Sequence, residues 1–511
     1  MSLKATITAS RDFVIAPLDR RIFGTFVEHL GRCVYGGIYE PGHKTADENG
    51  FRQDVLDLTK ELGVTIVRYP GGNFLSGYNW EDGVGPKDQR PVRLDLAWAS
   101  TETNAFGTNE FMVWAKKAEV EPMFAVNLGT RGPDEARHFL EYCNHPGGTH
   151  YSDLRKSHGF PEPHNIKFWC LGNEMDGPWQ ICAKTAQEYG RIAQETAKVM
   201  RWVDDSGLEL AACGSSQRAM PTYAAWEYEV LDTCFDQVDF ISLHAYFRND
   251  GSDINEFLGE VDNLDVYIKE IVAVADAVAA KRRSKKRIML SFDEWNVWYK
   301  AHRPEDLKKP GWPEAPPLLE EIYNFEDALV VGGALIVLMN NADRVKTACL
   351  AQLVNVIGPI MTQTGGDAWR QTIFYPFADA SRLGHGEVLR LKIDTTTFAT
   401  KAHGEVPHLL ATAIRDPETG AVGLMVLNRG QADMALDLDI GGLVGDSGES
   451  LTIASASELH DRDLKKANTQ AEPNAIVPAT NVTAKINGSR LTATLKPLSW
   501  NTFSLTLGNR R

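Results

Sequence analysis

The segment Lys167–Ala212, KFWCLGNEMDGPWQICAKTAQEYGRIAQETAKVMRWVDDSGLELAA, determines the fold prediction. Its two ends, Lys167–Leu171 and Glu209–Ala212, are short apolar runs that predict strands. Between them, Ala183–Val203 has apolar residues recurring at spacings of three and four, as in an amphipathic helix. A strand, a helix and a second strand in this order predict a β-α-β unit with parallel strands.

The same alternation extends from about residue 20 to about residue 380. The other predicted strands are Ile22–Val27, Thr65–Tyr69, Met123–Asn127, Asp239–His244, Ile288–Phe292 and Val345–Leu350. The other predicted helices are Phe51–Leu62, Asn109–Ala118, Asp134–Cys143, Ile254–Ala280 and Asn324–Asn340. Eight strands, each followed by a helix or a long connection, predict an α/β fold of the (β/α)₈ TIM-barrel type. A doubly wound sheet is the alternative, which is disfavoured because no GxGxxG motif follows the first strand.

After about residue 385 the pattern changes to short strands separated by Gly, Asp and Asn. The predicted strands are Glu387–Ile393, Leu409–Arg415, Val422–Leu427, Met434–Ile440, Ser450–Ala456 and Leu491–Leu507. We expect a catalytic barrel over residues 21–382 and an all-β, jelly-roll-like sandwich over residues 383–511. Residues 1–20 contain one more strand, Lys4–Ile15, which we expect to pair with the sandwich.

Composition excludes several kinds of partner. The net charge is -15, which argues against nucleic acid and against an anionic membrane surface. The longest apolar stretch, Ala328–Met339, is too short to span a bilayer. The seven cysteines are scattered without a CxxC pair, so neither a disulfide framework nor a zinc ribbon is expected. Because Met1–Ser10 lacks the apolar segment of a signal peptide, we expect a cytoplasmic protein.

Two glutamates follow predicted strands at related positions. Glu174 comes after the fourth strand, in CLGNEMD (170–176), and Glu294 after the seventh, in SFDEWNVW (291–298). Barrel enzymes place reactive residues at the carboxyl ends of their strands, so both carboxylates should face one mouth. Such a pair suits glycoside cleavage, because one carboxyl protonates the leaving oxygen while the other attacks the anomeric carbon. A single glutamate at a strand end is more often part of an ion pair, so the prediction depends on the two together.

Polar side chains also follow the other strands. They are Glu28 and His29 after the first, Arg68 and Asn73 after the second, His244 and Tyr246 after the sixth, and Gln352 after the eighth. Taken singly, each is typical of a satisfied polar group at a strand end. Together they predict a pocket for a ligand rich in hydroxyl groups.

Two other classes of protein compete with a glycosidase. A metal-dependent barrel enzyme could gather Glu28, His29, Glu174, His244 and Glu294 around a cation, but no HxH or HExxH spacing supports this. A sugar-binding protein without activity could use the β-sandwich, but both carboxylates expected of a hydrolase are present.

Several longer motifs resemble the α-L-arabinofuranosidases of glycoside hydrolase family 51. They are FGTFVEHLGR (23–32), YPGGNF (69–74), WEDGVGP (80–86), LGNEMDGPW (171–179), DEWNVWY (293–299) and LSWNTFS (498–504). The Gly-Asn-Glu element alone is shared by many barrel glycosidases, whereas the longer strings together are specific. The resemblance covers nearly the whole chain.

This resemblance implies a retaining, exo-acting enzyme that needs no metal or cofactor and releases terminal α-L-arabinofuranosyl residues from arabino-oligosaccharides, arabinan or arabinoxylan fragments. It implies Glu174 as the acid/base and Glu294 as the nucleophile. Around the sugar ring it places Glu28, Asn73, Asn173, Tyr246 and Gln352. It also implies a homo-oligomer, often a hexamer. Some relatives prefer glucans, so an endo-glucanase or a β-xylosidase of the same barrel clan is the alternative.

The aromatic and cationic residues near the predicted site have supporting roles. Trp98, Trp179 and Trp298 are expected to form an aromatic wall on the leaving-group side, although a tryptophan also serves core packing. Arg68 is expected to support Glu294 through its charge. His244 is expected to support the site from the sixth strand.

Overall fold

The computed structural model describes residues 3–249, 251, 253–298, 311–444 and 449–509. The strands of these residues are β1 Leu3–Ser10, β2 Val14–Pro17, β3 Gly24–Phe26, β4 Ile66–Tyr69, β5 Arg93–Asp95, β6 Ser100–Glu102, β7 Glu121–Val126, β8 Phe168–Leu171, β9 Glu209–Ala212, β10 Phe240–Phe247, β11 Met289–Val297, β12 Val345–Ala351, β13 Ile360–Thr362, β14 Ala368–Arg370, β15 Glu387–Leu389, β16 Lys392–Thr395, β17 Thr397–Ala399, β18 Glu405–Pro407, β19 Leu409–Arg415, β20 Val422–Asn428, β21 Met434–Gly442, β22 Glu449–Leu459, β23 Ala479–Thr480, β24 Lys485–Asn487, β25 Arg490–Leu495 and β26 Ser499–Asn509. The helices are α1 Gln53–Leu62, α2 Thr108–Ala118, α3 Pro133–Asn144, α4 His150–Ser157, α5 Ala186–Val203, α6 Ala225–Cys234, α7 Ile254–Lys281, α8 Phe325–Asn340 and α9 Phe374–Leu383.

Eight parallel strands close into a barrel in the order β3-β4-β7-β8-β9-β10-β11-β12, and β12 pairs with β3 to complete the ring. Each strand is the one predicted from sequence, with ends that differ by a few residues. The TIM-barrel prediction is therefore confirmed. All eight carboxyl ends open at one mouth, as the parallel arrangement requires.

The helices on the outside follow the predicted periodicity. α5 begins at Ala186 rather than at Ala183, because Thr185 accepts a hydrogen bond from the Glu188 N–H while the Glu188 carboxylate accepts one from the Thr185 N–H. This reciprocal cap fixes the first turn. The short helices α4, α6 and α9 were not predicted.

The C-terminal region is a two-sheet β structure that includes the N-terminal strands. One sheet has the order β16-β1-β21-β25-β24, and the other has the order β2-β15-β19-β20-β26-β22-β23. β1 pairs in parallel with β21 and antiparallel with β16. The chain thus begins in the sandwich, forms the barrel and then returns to the sandwich. The expected boundaries stay a proposal, with the barrel over residues 21–382 and the sandwich over residues 383–511.

Three predicted strands are each two strands in the structure. The stretches 4–15, 387–393 and 491–507 divide into β1 and β2, β15 and β16, and β25 and β26, and in each case the two parts belong to different sheets. Apolar residues continue on both sides of each break, because both sheets face the same core. Alternation alone therefore does not reveal where the chain crosses from one sheet to the other.

Helix α8 is buried on every side from Phe325 to Met339. It packs between the barrel and the sandwich, where Trp500 of β26 lies against the backbone of Gly332. This position explains the apolar stretch noted in the sequence, since a helix that is hydrophobic all round belongs to a core. In the described part of the chain, no helix is both long and apolar enough to cross a membrane.

Candidate active site

Glu174 and Glu294 lie at the mouth of the barrel, opposite each other. Glu174 follows β8 with a left-handed backbone conformation (φ +44°) and is 8% exposed, and Glu294 lies in β11 and is 6% exposed. A carboxylate oxygen of Glu174 and one of Glu294 lie within 4.8 Å of each other and of a ring nitrogen of His244. This backbone conformation is unfavourable by about 1–3 kcal/mol for a residue other than glycine, and such strain is common at functional sites.

A bulge in β11 turns two adjacent carboxylates to the same face. Ser242 pairs with Ser291 and His244 pairs with Glu294, so β11 has one more residue than β10 between these points. In a regular strand, neighbouring side chains point to opposite faces. The extra residue of a bulge interrupts this alternation, so that two neighbouring side chains can point to the same face. As a result, both Asp293 and Glu294 reach His244.

His244 lies between the carboxylates of the site. Its Nε2 is 2.9 Å from Asp293 Oδ1, and its Nδ1 is 2.9 Å from Glu174 Oε1 and 3.6 Å from Glu294 Oε2. Burial alone would lower the pKa of His244, but the charge on Glu294 and the hydrogen bonds with Asp293 and Glu174 raise it to about 10. His244 is therefore an imidazolium at neutral pH and donates from both nitrogens.

Asp293 stays ionised in spite of its burial. Burial alone would raise its pKa, yet the charge of Arg68 and the hydrogen bond from His244 hold it below the ordinary value. Ser291 Oγ donates a further hydrogen bond at 3.2 Å. Sequence reasoning did not select Asp293, because a regular strand would turn it away from Glu294.

Arg68 supports Glu294 from β4. Its Nη1 donates to Glu294 Oε1 at 2.7 Å, and its Nη2 donates to Asn173 Oδ1 at 2.8 Å. The guanidinium lies 4.7 Å from the centre of the Phe26 ring, where a cation is further stabilised. Tyr246 OH donates to the other oxygen, Glu294 Oε2, at 2.8 Å. The Glu294 carboxylate is thus held by a cation on one side and a hydroxyl on the other.

Glu28 organises the far wall of the site. It accepts hydrogen bonds from the Phe74 N–H at 3.0 Å, from Trp98 Nε1 at 3.1 Å and from Gln352 Nε2 at 3.0 Å. Burial raises the pKa of Glu28 to about 7, and the charge of Glu294 adds to this effect. Asn73, at the start of the short helix after β4, lines the same cavity.

His29, expected at the mouth, has a different place. Its two ring nitrogens contact Glu102 Oε2 at 2.9 Å and Tyr69 OH at 2.8 Å, and its ring stacks on Phe74. It therefore packs behind the site. There it anchors β6, the strand that carries Glu102, to the barrel.

The three predicted tryptophans have distinct environments. Trp179 is 46% exposed and donates from Nε1 to Glu174 Oε2 at 2.6 Å. Trp98 is buried against Glu28, and the half-buried Trp298 packs edge-on against Tyr246 with ring centres 5.0 Å apart. All three line one cavity. The open side of the site is therefore next to Glu174.

The cavity has a volume of about 660 Å³, within the usual range for small-molecule sites. It is lined by Glu174 and Glu294 together with Glu28, Asn73, Trp98, Trp179, Tyr246, Trp298 and Gln352. Lining residues that sequence analysis did not select include Leu96, Ser216, Gln217, Arg248, Leu319 and Ile357. These six come from loops or irregular segments, which carry no periodic signal.

Glu174, His244 and Glu294 also form a group whose spacing could hold a metal ion. In this structure both ring nitrogens of His244 are engaged by carboxylates instead, Nε2 by Asp293 and Nδ1 by Glu174. The geometry is better suited to acid–base and nucleophilic chemistry at two carboxylates.

Comparison with known proteins gives matches over nearly the whole chain. Family models described as "Alpha-L-arabinofuranosidase 1 domain" and "Alpha-L-arabinofuranosidase C-terminal domain" match residues 58–269 and 293–499. An intracellular exo-α-(1→5)-L-arabinofuranosidase of Bacillus subtilis is 52% identical, over 98% of this chain and 99% of its own length. An exo-α-(1→6)-L-arabinofuranosidase of Bifidobacterium longum is 48% identical, over 97% of this chain and 96% of its own length.

A solved structure gives a similar result. A family 51 α-L-arabinofuranosidase from Bifidobacterium longum superimposes with a TM-score of 0.94 at 45% identity, covering 99% of this chain and 100% of that chain. The likeness extends through both the barrel and the C-terminal β structure.

Proposed function

The chain belongs to the α-L-arabinofuranosidases of glycoside hydrolase family 51 and is an exo-α-L-arabinofuranosidase, and we propose that it works by a retaining double displacement in which Glu294 is the nucleophile and Glu174 the acid/base. The observation that carries the proposal is the separation of the two carboxylates, whose oxygens approach within 4.8 Å. Retaining glycosidases hold this pair about 5–5.5 Å apart, whereas inverting enzymes need about 6.5–9.5 Å to admit a water.

The different surroundings of the two glutamates support the assignment of roles. Glu294 is held by Arg68 and Tyr246 in the interior of the mouth, which fixes the direction from which its carboxylate would attack. Glu174 lies beside the exposed Trp179. It is therefore placed where a leaving group departs and where water enters.

The reaction then follows from these positions. Glu294 attacks the anomeric carbon while Glu174 gives its proton to the glycosidic oxygen, so that the C–O bond breaks and an arabinosyl ester forms on Glu294. Glu174 is now a carboxylate, and it takes a proton from a water that attacks the same carbon. The ester bond breaks, arabinose leaves with its original configuration, and both glutamates regain their starting states.

The remaining polar residues suit the hydroxyl groups of an arabinofuranose. Within the described part of the chain, Gln352 Oε1 is buried without a hydrogen-bond partner, and a sugar hydroxyl would supply one. Asn173 is oriented by Arg68 and is placed for the 2-hydroxyl, where contacts strengthen in the transition state. Glu28 and Asn73 complete the ring pocket, while Trp98, Trp179 and Trp298 line the leaving-group side.

We further propose arabino-oligosaccharides, arabinan or arabinoxylan fragments as the substrates. The named relatives act on α-(1→5) and α-(1→6) linkages. The Bacillus subtilis relative is named as an intracellular enzyme, so we propose a cytoplasmic enzyme that acts on short oligosaccharides. We also propose a homo-oligomer, with a hexamer as the expected form, which light scattering of the purified protein tests directly.

A panel of p-nitrophenyl glycosides tests the specificity. We expect rapid release from the α-L-arabinofuranoside and kcat/KM at least a hundredfold lower for the β-glucoside and β-xyloside, because a site built for one set of hydroxyls leaves polar groups unpaired with another. Release confined to the β-glucoside or the β-xyloside would contradict the proposed substrate and favour the alternative enzymes of the same clan.

A further inference from the structure

A second cavity, of about 580 Å³, adjoins the active site. It lies between β10, α7 and the loop that follows β9. Gln217, Arg218 and Tyr223 come from this loop, and Glu260, Asn263 and Glu270 come from α7. We call this cavity the outer groove. The reaction described above uses none of these six residues.

The outer groove borders the active-site cavity, because Gln217 and Tyr246 line both. It also lies on the side of the proton donor. The N–H of Ser216, next to Gln217, donates to the carboxylate of Asp176 at 3.1 Å, and Asp176 follows Glu174 by two positions. The loop that bounds the groove is therefore tied to the loop that carries the acid/base. A leaving group protonated by Glu174 departs toward this loop.

The walls of the outer groove are held in place by their own contacts. Arg218 donates two hydrogen bonds to Glu270, at 2.8 and 2.7 Å, and Tyr223 OH donates to the same carboxylate at 2.6 Å. Asn263 contacts His403 of the sandwich at 2.9 Å, and Glu260 accepts from the Arg248 N–H at 2.9 Å. Such preformed walls lose little freedom on binding.

The chemistry of the lining suits a carbohydrate. Tyr223 is a half-buried aromatic ring, which offers an apolar surface to the C–H face of a sugar. The carboxylates, the amides and the guanidinium around it offer both donors and acceptors to hydroxyl groups. A mainly apolar cleft with a few placed polar groups is the usual form of a small-molecule site.

We propose that the outer groove binds the second and later sugar units on the leaving-group side of an arabino-oligosaccharide. This inference rests on the proposed function, since it takes Glu174 as the proton donor. The exo-acting enzyme removes the first unit, the second unit lies over Trp179 and Gln217, and the third lies in the groove. A trisaccharide is then the shortest substrate that uses it.

The test compares α-(1→5)-linked arabinobiose, arabinotriose and arabinotetraose as substrates of the full-length protein. We expect kcat/KM to rise about tenfold from the disaccharide to the trisaccharide, which corresponds to one or two hydrogen bonds with the groove. Arg218→Ala and Tyr223→Ala should each reduce this ratio to less than threefold. Arg218 is exposed, so its replacement tests the groove without opening the core.

The matched control is Arg191→Ala, which removes an exposed arginine paired with Glu195 on α5, away from both cavities. This variant should keep the tenfold preference. Equal kcat/KM for all three lengths in the unmodified enzyme would overturn the proposal, as would an intact preference in both groove variants. If no arabinoside, including the p-nitrophenyl compound, were hydrolysed, the proposed function itself would fail instead.

Discussion

His244 is the residue that joins the buried charges of the active site. It donates toward Asp293 on one side and Glu174 on the other, and it lies 3.6 Å from Glu294. The positive charges of His244 and Arg68 offset the negative charges of Asp293 and Glu294, so that these groups can be buried together beside Glu174. The mechanism depends on this balance of charges.

The two catalytic glutamates should respond differently to removal. Glu294→Ala removes the nucleophile, so turnover of every substrate should be lost. Glu174→Ala should lower kcat/KM on oligosaccharides by about 10²–10⁴, the usual contribution of a general acid, but much less on 2,4-dinitrophenyl α-L-arabinofuranoside, whose leaving group needs no proton. Azide should partly restore turnover in Glu174→Ala and give an azide product of retained configuration. Equal losses in both variants on every leaving group would refute the assignment.

Asp293 should help to keep His244 protonated. The charge of Glu294 and the hydrogen bond with Asp293 raise the pKa of His244 to about 10, so Asp293→Asn should lower that pKa. His244 would then lose its proton at a lower pH and cease to donate to both partners. The pKa of His244, followed by ¹⁵N NMR of its imidazole ring in the full-length protein, should fall by one unit or more. Asp232→Asn, which removes a surface partner of Lys281, is the control, and an unchanged pKa of His244 in Asp293→Asn would exclude this role.

The sequence was sufficient to select most of the residues at the mouth, because side chains at or directly after the carboxyl ends of parallel strands converge there. Glu28, Arg68, Tyr246 and Gln352 are cases of this rule. Asp293 was missed because its position depends on a bulge, and His29 was misplaced because its contacts with Glu102 and Tyr69 depend on a distant hairpin. Neither the bulge nor the hairpin contact has a periodic signal in the sequence.

Among the secondary-structure elements, the β5–β6 hairpin has the most direct influence on the site. It carries Trp98, which donates to Glu28, and it is anchored by Glu102. Glu102 accepts hydrogen bonds from Tyr35 OH, from the Asn104 N–H at 2.6 Å and from His29. The hairpin therefore connects a buried network behind the barrel to the wall of the ring pocket.

Glu102→Gln should loosen this hairpin. In the variant, the side-chain amide nitrogen of residue 102 would replace one carboxylate oxygen and would face a hydrogen-bond donor. A buried polar group left without a partner in this way lowers the free energy of unfolding by about 1–3 kcal/mol. We expect KM to rise several-fold with a smaller fall in kcat, together with a lower Tm, because Trp98 and Glu28 lose their fixed positions. Arg93→Ala removes an exposed arginine of the same hairpin, which pairs with Asp82 outside it, and should change little. A KM equal to that of the unmodified enzyme would contradict the proposed connection.

The barrel strands were predictable as elements, because each is a short apolar run between amphipathic stretches. The sandwich strands were predictable only in part. At Leu498 the backbone turns into the left-handed region (φ +48°) between β25 and β26, within a run that sequence analysis treated as one strand. Such a change of sheet depends on the packing of both sheets around one core rather than on local alternation.

In the molecule as a whole, the hydrophobic core of the barrel extends onto the seven-stranded sheet of the sandwich, while the inner faces of the two sheets enclose a second core. Residues of the sandwich such as Met425, Leu427 and Trp500 belong to the same buried cluster as the barrel strands and α8. β1 and β2 further join the start of the chain to both sheets. We therefore expect the two parts to depend on each other for stability.

Trp500→Ala should destabilise the whole protein. Its ring is 1% exposed, lies against the Gly332 backbone and donates from Nε1 to Asp379 at 3.2 Å. Truncating a buried tryptophan costs about 3–5 kcal/mol, so Tm should fall clearly. Trp202→Ala is the control, because Trp202 is 76% exposed and its loss should leave Tm nearly unchanged. The same Tm in both variants would show that the shared core does not stabilise the protein.

The most direct measurement for the mechanism is proton NMR of the sugar released from p-nitrophenyl α-L-arabinofuranoside, recorded during the first minutes of hydrolysis. One oxygen of Glu174 and one of Glu294 lie within 4.8 Å of each other, closer than the spacing that admits a water in inverting enzymes, so the first product should be α-L-arabinofuranose. Its α-anomeric signal should appear before mutarotation produces the other forms. Initial appearance of the β-anomer would mean inversion, and would contradict the double displacement by Glu294 and Glu174.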